Sequence, residues 1–285
     1  AFKMRFWNIG GEGQFILGAV AAGAVALKLG SVLPEGVTLL LMCLAGMLAA
    51  GLYGALVAAL KVKFGTNETL MTLMLNYVAL YFLTFLGETK AAWNFFLEPS
   101  SARPIFTSFS SLAEFPGIPI GKFHLNVCVI LAVLIGVGIY FYLKYTKHGY
   151  EIAVVGESRR TASYAGIKVD RVIIRTMALS GALCGLIGLL LTSSTDHTMT
   201  TTIVDGRGFT AVMVSWMAKF NPVIMIFVSL LLVVLSRGAS EISTAFGLNR
   251  SFSDILTGII LFFIIGCEFF INYKVQFRSS GKKEA

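Results

Sequence analysis

The sequence predicts an all-α fold: a polytopic transmembrane helical bundle with broken or re-entrant helices. Three observations predict it. Apolar residues make up 56% of the 285 positions and charged residues only 13%, with a mean hydropathy of +0.80. A soluble domain carries about 25% charged residues, so this chain has too few charges to cover a soluble surface. Second, the stretches 12–30, 37–60, 68–87, 125–144, 172–193 and 254–273 are each apolar over close to the ~20 residues a helix needs to cross the hydrocarbon. Third, the ten-residue alternating pattern of an outer-membrane barrel strand is absent, and helices then remain the elements that satisfy their own backbone in lipid. A further run, 208–235, is interrupted at Lys219-Phe220-Asn221-Pro222, which gives about seven to eight membrane elements in all.

Charge fixes the expected sidedness. The segment after 144 carries Lys144, Lys147, Arg159, Arg160, Lys168, Arg171 and Arg175 against Glu151, Glu157 and Asp170. The tail adds Lys274, Arg278, Lys282 and Lys283 against Glu284, and the short connection near 61–63 holds Lys61 and Lys63. The positive-inside rule puts these three on the cytoplasmic side, and it puts the balanced loop 88–124 outside, where Lys90, Arg103 and Lys122 face Glu88, Glu98 and Glu114. The basic residues flank apolar runs instead of forming one surface, which argues against a nucleic-acid partner.

The alternation holds from 37 to 193 and then strains. If 194–205 is outside and the tail inside, the span 254–273 makes that crossing alone, and 208–235 must return to the side it started from. A pair of half-helices broken at Phe220-Asn221-Pro222 would do so, because Pro222 lacks an N–H and disfavours helix at Asn221. A full span with a second crossing near 243–249 is the alternative.

The polar residues inside the apolar runs are the candidate functional groups. At the mouth of the first run, Asn8, Glu12 and Gln14 lie among Gly10, Gly11 and Gly13. This stretch is either an unwound segment that exposes backbone to a solute, or a helix start with Asn8 as cap and Glu12 in the first turn. Small residues recur every four positions at Gly18, Ala22 and Ala26, at Gly46, Ala50 and Gly54, and at Gly181 and Gly185, the pattern of closely packed membrane helices. In the third run Thr69, Thr72 and Asn76 share one helical face, either as interhelical glue or as the lining of a polar path. Ser158 to Gly166 reads as a short helix, capped by Ser158, with Ala162, Tyr164 and Ala165 on a small-apolar side and Gly166 ending it. Held between two spans, such a helix can transmit a push from a soluble partner.

Other chemistry is missing from the pattern. No phosphate-loop motif is present, and His124, His148 and His197 are scattered at loop edges, so an enzyme is not expected. Cys43, Cys128, Cys184 and Cys267 lie far apart inside apolar runs, without metal-ligand or redox spacing. Scarce charge pairs along the spans weigh against an ion-coupled secondary carrier.

Four stretches in order carry a resemblance. Residues 145–190, with Gly149, the "AVVGE" of 153–157, the "ASYAGI" of 162–167, Arg171 and the "LSGALCGLIG" of 179–188, resemble the coupling segment of ABC importer permeases of the branched-chain amino acid, ribose and nucleoside type. "FWNIGGEGQFILGA", "TNETLMTLMLNY" and "DGRGFTAVMVSWMAKFNP" resemble signatures of its nucleoside and simple-sugar sub-branch. Trp216 and Met217 replace the smaller residues usual there.

The resemblance implies one transmembrane permease domain over 1–285, with 145–171 as a cytoplasmic coupling segment and 88–124 as an external loop. About two further N-terminal spans, usual in the family, are expected to be missing. It implies a multi-pass protein of the bacterial inner (cytoplasmic) membrane. The expected partners are a second permease subunit, ABC ATPase subunits and an external substrate-binding lipoprotein docking on 88–124 and 194–205. It binds no cofactor or metal itself, and ATP is used by the ATPase. Nucleosides are the expected cargo, simple sugars such as ribose or galactose the alternative, and an ion-coupled carrier a more distant one. Asn8, Glu12, Gln14, Thr69, Thr72, Asn76 and Asn221 are the pathway candidates. Glu157, Ser158, Arg159, Arg160, Ala162, Tyr164, Ala165 and Gly166 are the coupling candidates.

Overall fold

The computed structural model describes residues 1–120 and 123–272. Lys122, Tyr273 and the basic tail from Lys274 to Glu284 lie outside the described residues. The described chain forms ten α-helices: α1 (Gly11–Leu29), α2 (Glu35–Phe64), α3 (Glu68–Glu88), α4 (Val127–Tyr145), α5 (Lys147–Glu157), α6 (Arg159–Tyr164), α7 (Val169–Leu191), α8 (Arg207–Met217), α9 (Pro222–Ala245) and α10 (Arg250–Asn272). Six are long and apolar enough to cross a membrane: α1 to α4, α7 with the π turn Thr192–Asp196 that extends it, and α9. The fold is an all-α polytopic bundle. It divides into two compact units, Ala1–Met213 and Val214–Ala285.

Local chemistry sets most boundaries of the first unit. At 30 residues α2 is about 45 Å long, more than the ~30 Å hydrocarbon needs, and its last turn carries Lys61 and Lys63. Gly65 ends α2 with φ +66, a backbone shape that glycine adopts freely. Asn67 then caps α3, its side chain accepting from Thr69 N at 3.0 Å and Leu70 N at 3.2 Å. Lys61 pairs with Glu68 at 2.6 Å across this tight connection. Asn126 and Thr146 cap α4 and α5 in the same manner. The first part of the 145–171 segment, before α6, is the helix α5.

The centre of the unit is the meeting of α1, α2 and α7, and glycines make it possible. A Cβ on Gly18 would overlap the Gly185 backbone, and one on Gly185 or Gly181 would overlap α2 at Gly46 or Ala50. A Cβ on Gly54 would stand 2.6 Å from Met177 O. The small-residue rows of the sequence are therefore the places where three backbones touch.

Two apolar cores flank this contact. One gathers Phe15, Ile16, Met42, Leu83, Leu86 and Leu189 with loop residues Phe96, Phe109 and Met199. The other gathers Met4, Phe6, Val57, Ile152, Ala162, Val172 and Met177, joining the chain start to α2, α5, α6 and α7.

Two loops are partly packed against the helices. The 88–124 loop is partly packed: Phe96, Leu97, Phe109 and Ala113 are buried, and the Asn94 amide donates to Leu86 O and Thr89 O at 2.7 and 2.8 Å. It closes with β1 (Gly117–Ile120) paired antiparallel to β2 (Phe123–Asn126), Gly117 opposite Asn126. Residues 194–205, expected as an external docking loop, are anchored at four positions while Thr195, Asp196, Thr200, Thr201, Thr202 and Asp205 stay exposed. Ser194, Met199, Ile203 and Val204 are buried, the last three within the first core, because their apolar side chains fill space beside α1 and α3.

In the second unit the break falls where the sequence places it. The left-handed residues Lys219 (φ 48) and Phe220 (φ 60) lead to Asn221, which caps α9 by accepting from Val223 N at 3.0 Å, and Pro222 takes the first helical position it favours. A pair of half-helices is nevertheless corrected. α8 is an 11-residue arm, but α9 runs 24 residues to Ala245, since nothing breaks it before Phe246-Gly247. The chain turns at 246–249, with Gly247 at φ +64 and Leu248 N donating to Ser243 O at 2.7 Å, and α10 packs back on α9.

Candidate functional site

Residues 8–14 form a buried hub on which several elements converge. Its first part is not helical: Asn8 Oδ1 accepts from Gly10 N at 3.1 Å and from Gln14 Nε2 at 3.3 Å, while Asn8 Nδ2 donates to Gln14 Oε1 at 3.2 Å and to Ser180 Oγ on α7 at 3.4 Å. The expectation that Asn8 caps α1 is corrected, because the cap position is Gly10, which has no side chain to offer. The first turn of a helix leaves N–H groups without internal partners. One of them, Gly13 N, donates to Asn76 Oδ1 of α3 at 2.8 Å. The other end of the same amide, Asn76 Nδ2, donates to Ile9 O at 2.9 Å. One turn earlier, Thr72 Oγ1 accepts from Ile9 N at 3.3 Å and donates to Glu68 O at 2.8 Å. Asn76 therefore caps α1 from a different helix, at about 12 Å from the start of α3.

Each residue of the glycine-rich stretch meets a different neighbour. Gly10 lies against Thr72, Gly11 against Cys184 of α7, and Gly13 against Asn76 and the Leu75 carbonyl. Gln14 reaches α2, its Nε2 3.4 Å from where a Cβ of Gly54 would sit. Glu12 turns to α8: its Cγ occupies the space that a Cβ on Gly208 would need, and the backbone N–H groups of Gly208 and Phe209 face its carboxylate. Glu12 Oε1 is buried and makes no hydrogen bond.

Of the pathway candidates, the fold brings together Asn8, Glu12, Gln14, Thr72 and Asn76. Thr69 is half-buried one turn away and enters the network only through its carbonyl, which accepts from Thr72 at 3.1 Å. Asn221 belongs to the second unit, as the cap of α9. Ser180, Gly54 and Gly208 are hub residues that sequence reasoning missed. Gly54 stood out as part of a small-residue row, and Ser180 and Gly208 carried no periodic signal at all.

The second candidate site is α6. Ser158, extended at φ −156, ends α5 after Glu157 and caps α6, its Oγ accepting from Thr161 N at 3.3 Å. The far end closes as a Schellman motif: Gly166 N donates to Ser163 O and Ile167 N to Ala162 O, both at 3.0 Å, with Gly166 at φ +79 past Ala165. Ala162 is fully buried in the second core, whereas Tyr164 is 92% exposed. The α6 helix is thus anchored on one side and presented on the other. Arg159, Arg160, Lys168 and Arg171 line an open groove beside it with Ser163 and Gly166. Behind it, Glu151 of α5 pairs with Arg175 of α7 at 2.9 Å and lies 3.6 Å from His148. The Arg175 guanidinium holds the Glu151 carboxyl below the usual carboxylate range.

This geometry, a helical membrane bundle carrying an exposed, core-anchored helix, can be set beside known proteins. Residues 1–265 match the model of the family described as branched-chain amino acid transport system / permease component. The chain belongs to this family. The permease is 29% identical over 281 residues to the glucose ABC transporter permease protein of Haloferax volcanii, which covers 96% of this chain and 72% of that protein. It is 27% identical to the guanosine ABC transporter permease protein of Bacillus subtilis, over 97% of this chain and 77% of that protein. With the nucleoside ABC transporter permease protein of Lactococcus lactis subsp. cremoris it shares 27% identity over 93% of this chain and 73% of that protein. No solved structure matches the chain. The protein is an ABC transporter permease subunit of the nucleoside and simple-sugar type, a transport component and a multi-pass protein of the cell membrane.

Proposed function

We propose that this permease forms the solute pathway of an ATP-driven nucleoside importer. The observation that carries the cargo assignment is end-to-end similarity to a guanosine and a nucleoside permease, over 97% and 93% of the chain. A simple sugar is the second reading, favoured by the comparable similarity to a glucose permease. The subunit works with a second permease, with ATPase subunits that bind and hydrolyse the ATP, and with an external substrate-binding lipoprotein. It has no catalytic site of its own.

Within this scheme α6 is the handle for the ATPase. Its support is geometric: Arg159, Arg160 and Tyr164 are exposed and free to meet a partner, while Ala162 conveys displacement into α2, α5 and α7 through the second core. In the hub, Asn8, Gln14, Thr72 and Asn76 spend their polar atoms on one another and on backbone, so they shape the path rather than bind solute. The loop 88–124 faces the binding protein. Uptake of radiolabelled guanosine into proteoliposomes holding the assembled transporter tests the cargo. ATP-dependent uptake that unlabelled nucleosides suppress and glucose or ribose does not is the expected result. Suppression by sugars alone would replace nucleosides with sugars.

A further inference from the structure

We propose that Glu12 and Gly208 form a key and notch that fix where α8 begins along α1, which makes Glu12 a positioning residue for transport. The inference deepens the importer reading and rests on it for the word transport, but the contact itself does not.

The chain between α7 and α8 travels a long way along α1, with only Met199, Ile203 and Val204 buried between Asp196 and Arg207. Met199 lies against Gly23, about two-thirds of the way along α1, and Thr201 against Gly87, at the end of α3. Gly208 lies against Glu12, eleven residues back along α1, or about 16 Å. Residues 202–206 cover this distance without helical structure, with Ile203 and Val204 buried. Apolar burial of two side chains holds such a segment in place sideways but sets no register, since apolar contact is non-directional. A register needs a shape that fits at one position.

Glu12 and Gly208 supply that shape. Glu12 is flanked by Gly11 and Gly13, whose own faces are taken by α7 and α3, so its side chain is what the stretch extends toward α8. Opposite it, Gly208 leaves open the space that a Cβ would fill, and the Glu12 stem lies there, its backbone N only 3.0 Å from that Cβ position. Phe209 and Arg207 on either side have side chains, so a shift of α8 by one residue closes the notch. The buried, unbonded Glu12 Oε1 gives the contact its lability, because a carboxylate oxygen left without a donor costs free energy. The Gly208 and Phe209 N–H groups that face the carboxylate hold α8 where the key fits, and the oxygen without a donor keeps that hold weak.

Hydrogen–deuterium exchange on the assembled transporter in nanodiscs tests this. The readout is the amide exchange of Gly208 and Phe209, whose N–H groups open α8 and face the Glu12 carboxylate, whereas Arg207 N already donates to Val204 O at 2.9 Å. Glu12→Ala should speed it about tenfold, the scale of one lost contact to a charged group, with exchange in α2 unchanged. Glu12→Gln, of the same shape, should stay near the parent. Gly208→Ala should speed exchange like Glu12→Ala, and the double variant should exchange no faster than either single, because both remove one contact. In the same preparations Glu12→Ala should raise the ATP hydrolysed per solute imported, with assembly yield unchanged. Parent-like exchange in Glu12→Ala, or effects that add in the double variant, would overturn the proposal. A parent complex without ATP-dependent uptake would sink the importer reading and leave the exchange data to judge the key.

Discussion

At the scale of the residue, Asn76 shows how a polar group in an apolar run is settled by its partners. Thr72 and Asn76 were placed on one face of a helix by their spacing, and that face exists. The spacing could not say what lay opposite, because the answer is backbone sixty residues away: Ile9 and Gly13. Replacing Asn76 with Leu strands one buried N–H and one buried carbonyl, each costing about 1–3 kcal/mol. The Asn76→Leu permease should therefore lose thermal stability and assembly in step with uptake, as read by melting temperature and complex yield. Full assembly with lost uptake would mark Asn76 as a solute contact instead.

Two predictions belong to the element. The first concerns α6. Ser158, Ala162 and Gly166 were legible in sequence because capping, burial and a left-handed stop each demand a residue type. Gly166→Val strains a position at φ +79 and should loosen α6 without touching the spans. Normal assembly with ATP hydrolysis no longer matched to uptake is expected, and matched activities would count against α6 as the handle. Charge reversal at Arg159 or Arg160 should produce the same mismatch. The second concerns α5, whose eleven residues are too few and too polar to stand out as a span in the sequence. Its lock on α7 is the Glu151–Arg175 pair. Glu151 has a folded-state pKa below its ordinary 4.5, so the pair's contribution is fully present above that value and fades as pH falls through the lower one. Melting temperature against pH should fall less steeply below about pH 4.5 in Glu151→Gln than in the parent. Because the pair is partly exposed, salt should weaken the difference.

At the scale of the molecule, the order and positions of α1 to α4, α7 and α9 were readable because crossing a bilayer imposes length and composition together, although six helices are long and apolar enough to cross, against the about seven to eight elements expected. What the sequence did not show was the packing of Met199, Ile203 and Val204 and the length of α9. Both turn on tertiary contacts that leave no periodic trace: Met199, Ile203 and Val204 look like any loop apolars until α1 and α3 are beside them. The glycine rows were legible as packing and carry a prediction at this scale. Gly185→Ala drives a methyl into α2 at Gly46 and Ala50. It should cost about 3 kcal/mol, the upper range for overpacking a tight core, and appear as a large drop in melting temperature. The control Gly138→Ala, in open space on α4, should leave it unchanged.

Where α1, α2 and α7 cross, main chain abuts main chain with no cushion of side chains between. Such a joint has no slack to shear through and no rotamers to rearrange. The trio is one solid piece, a fixed post, and movement within the first unit falls on the helices and loops that pack around it.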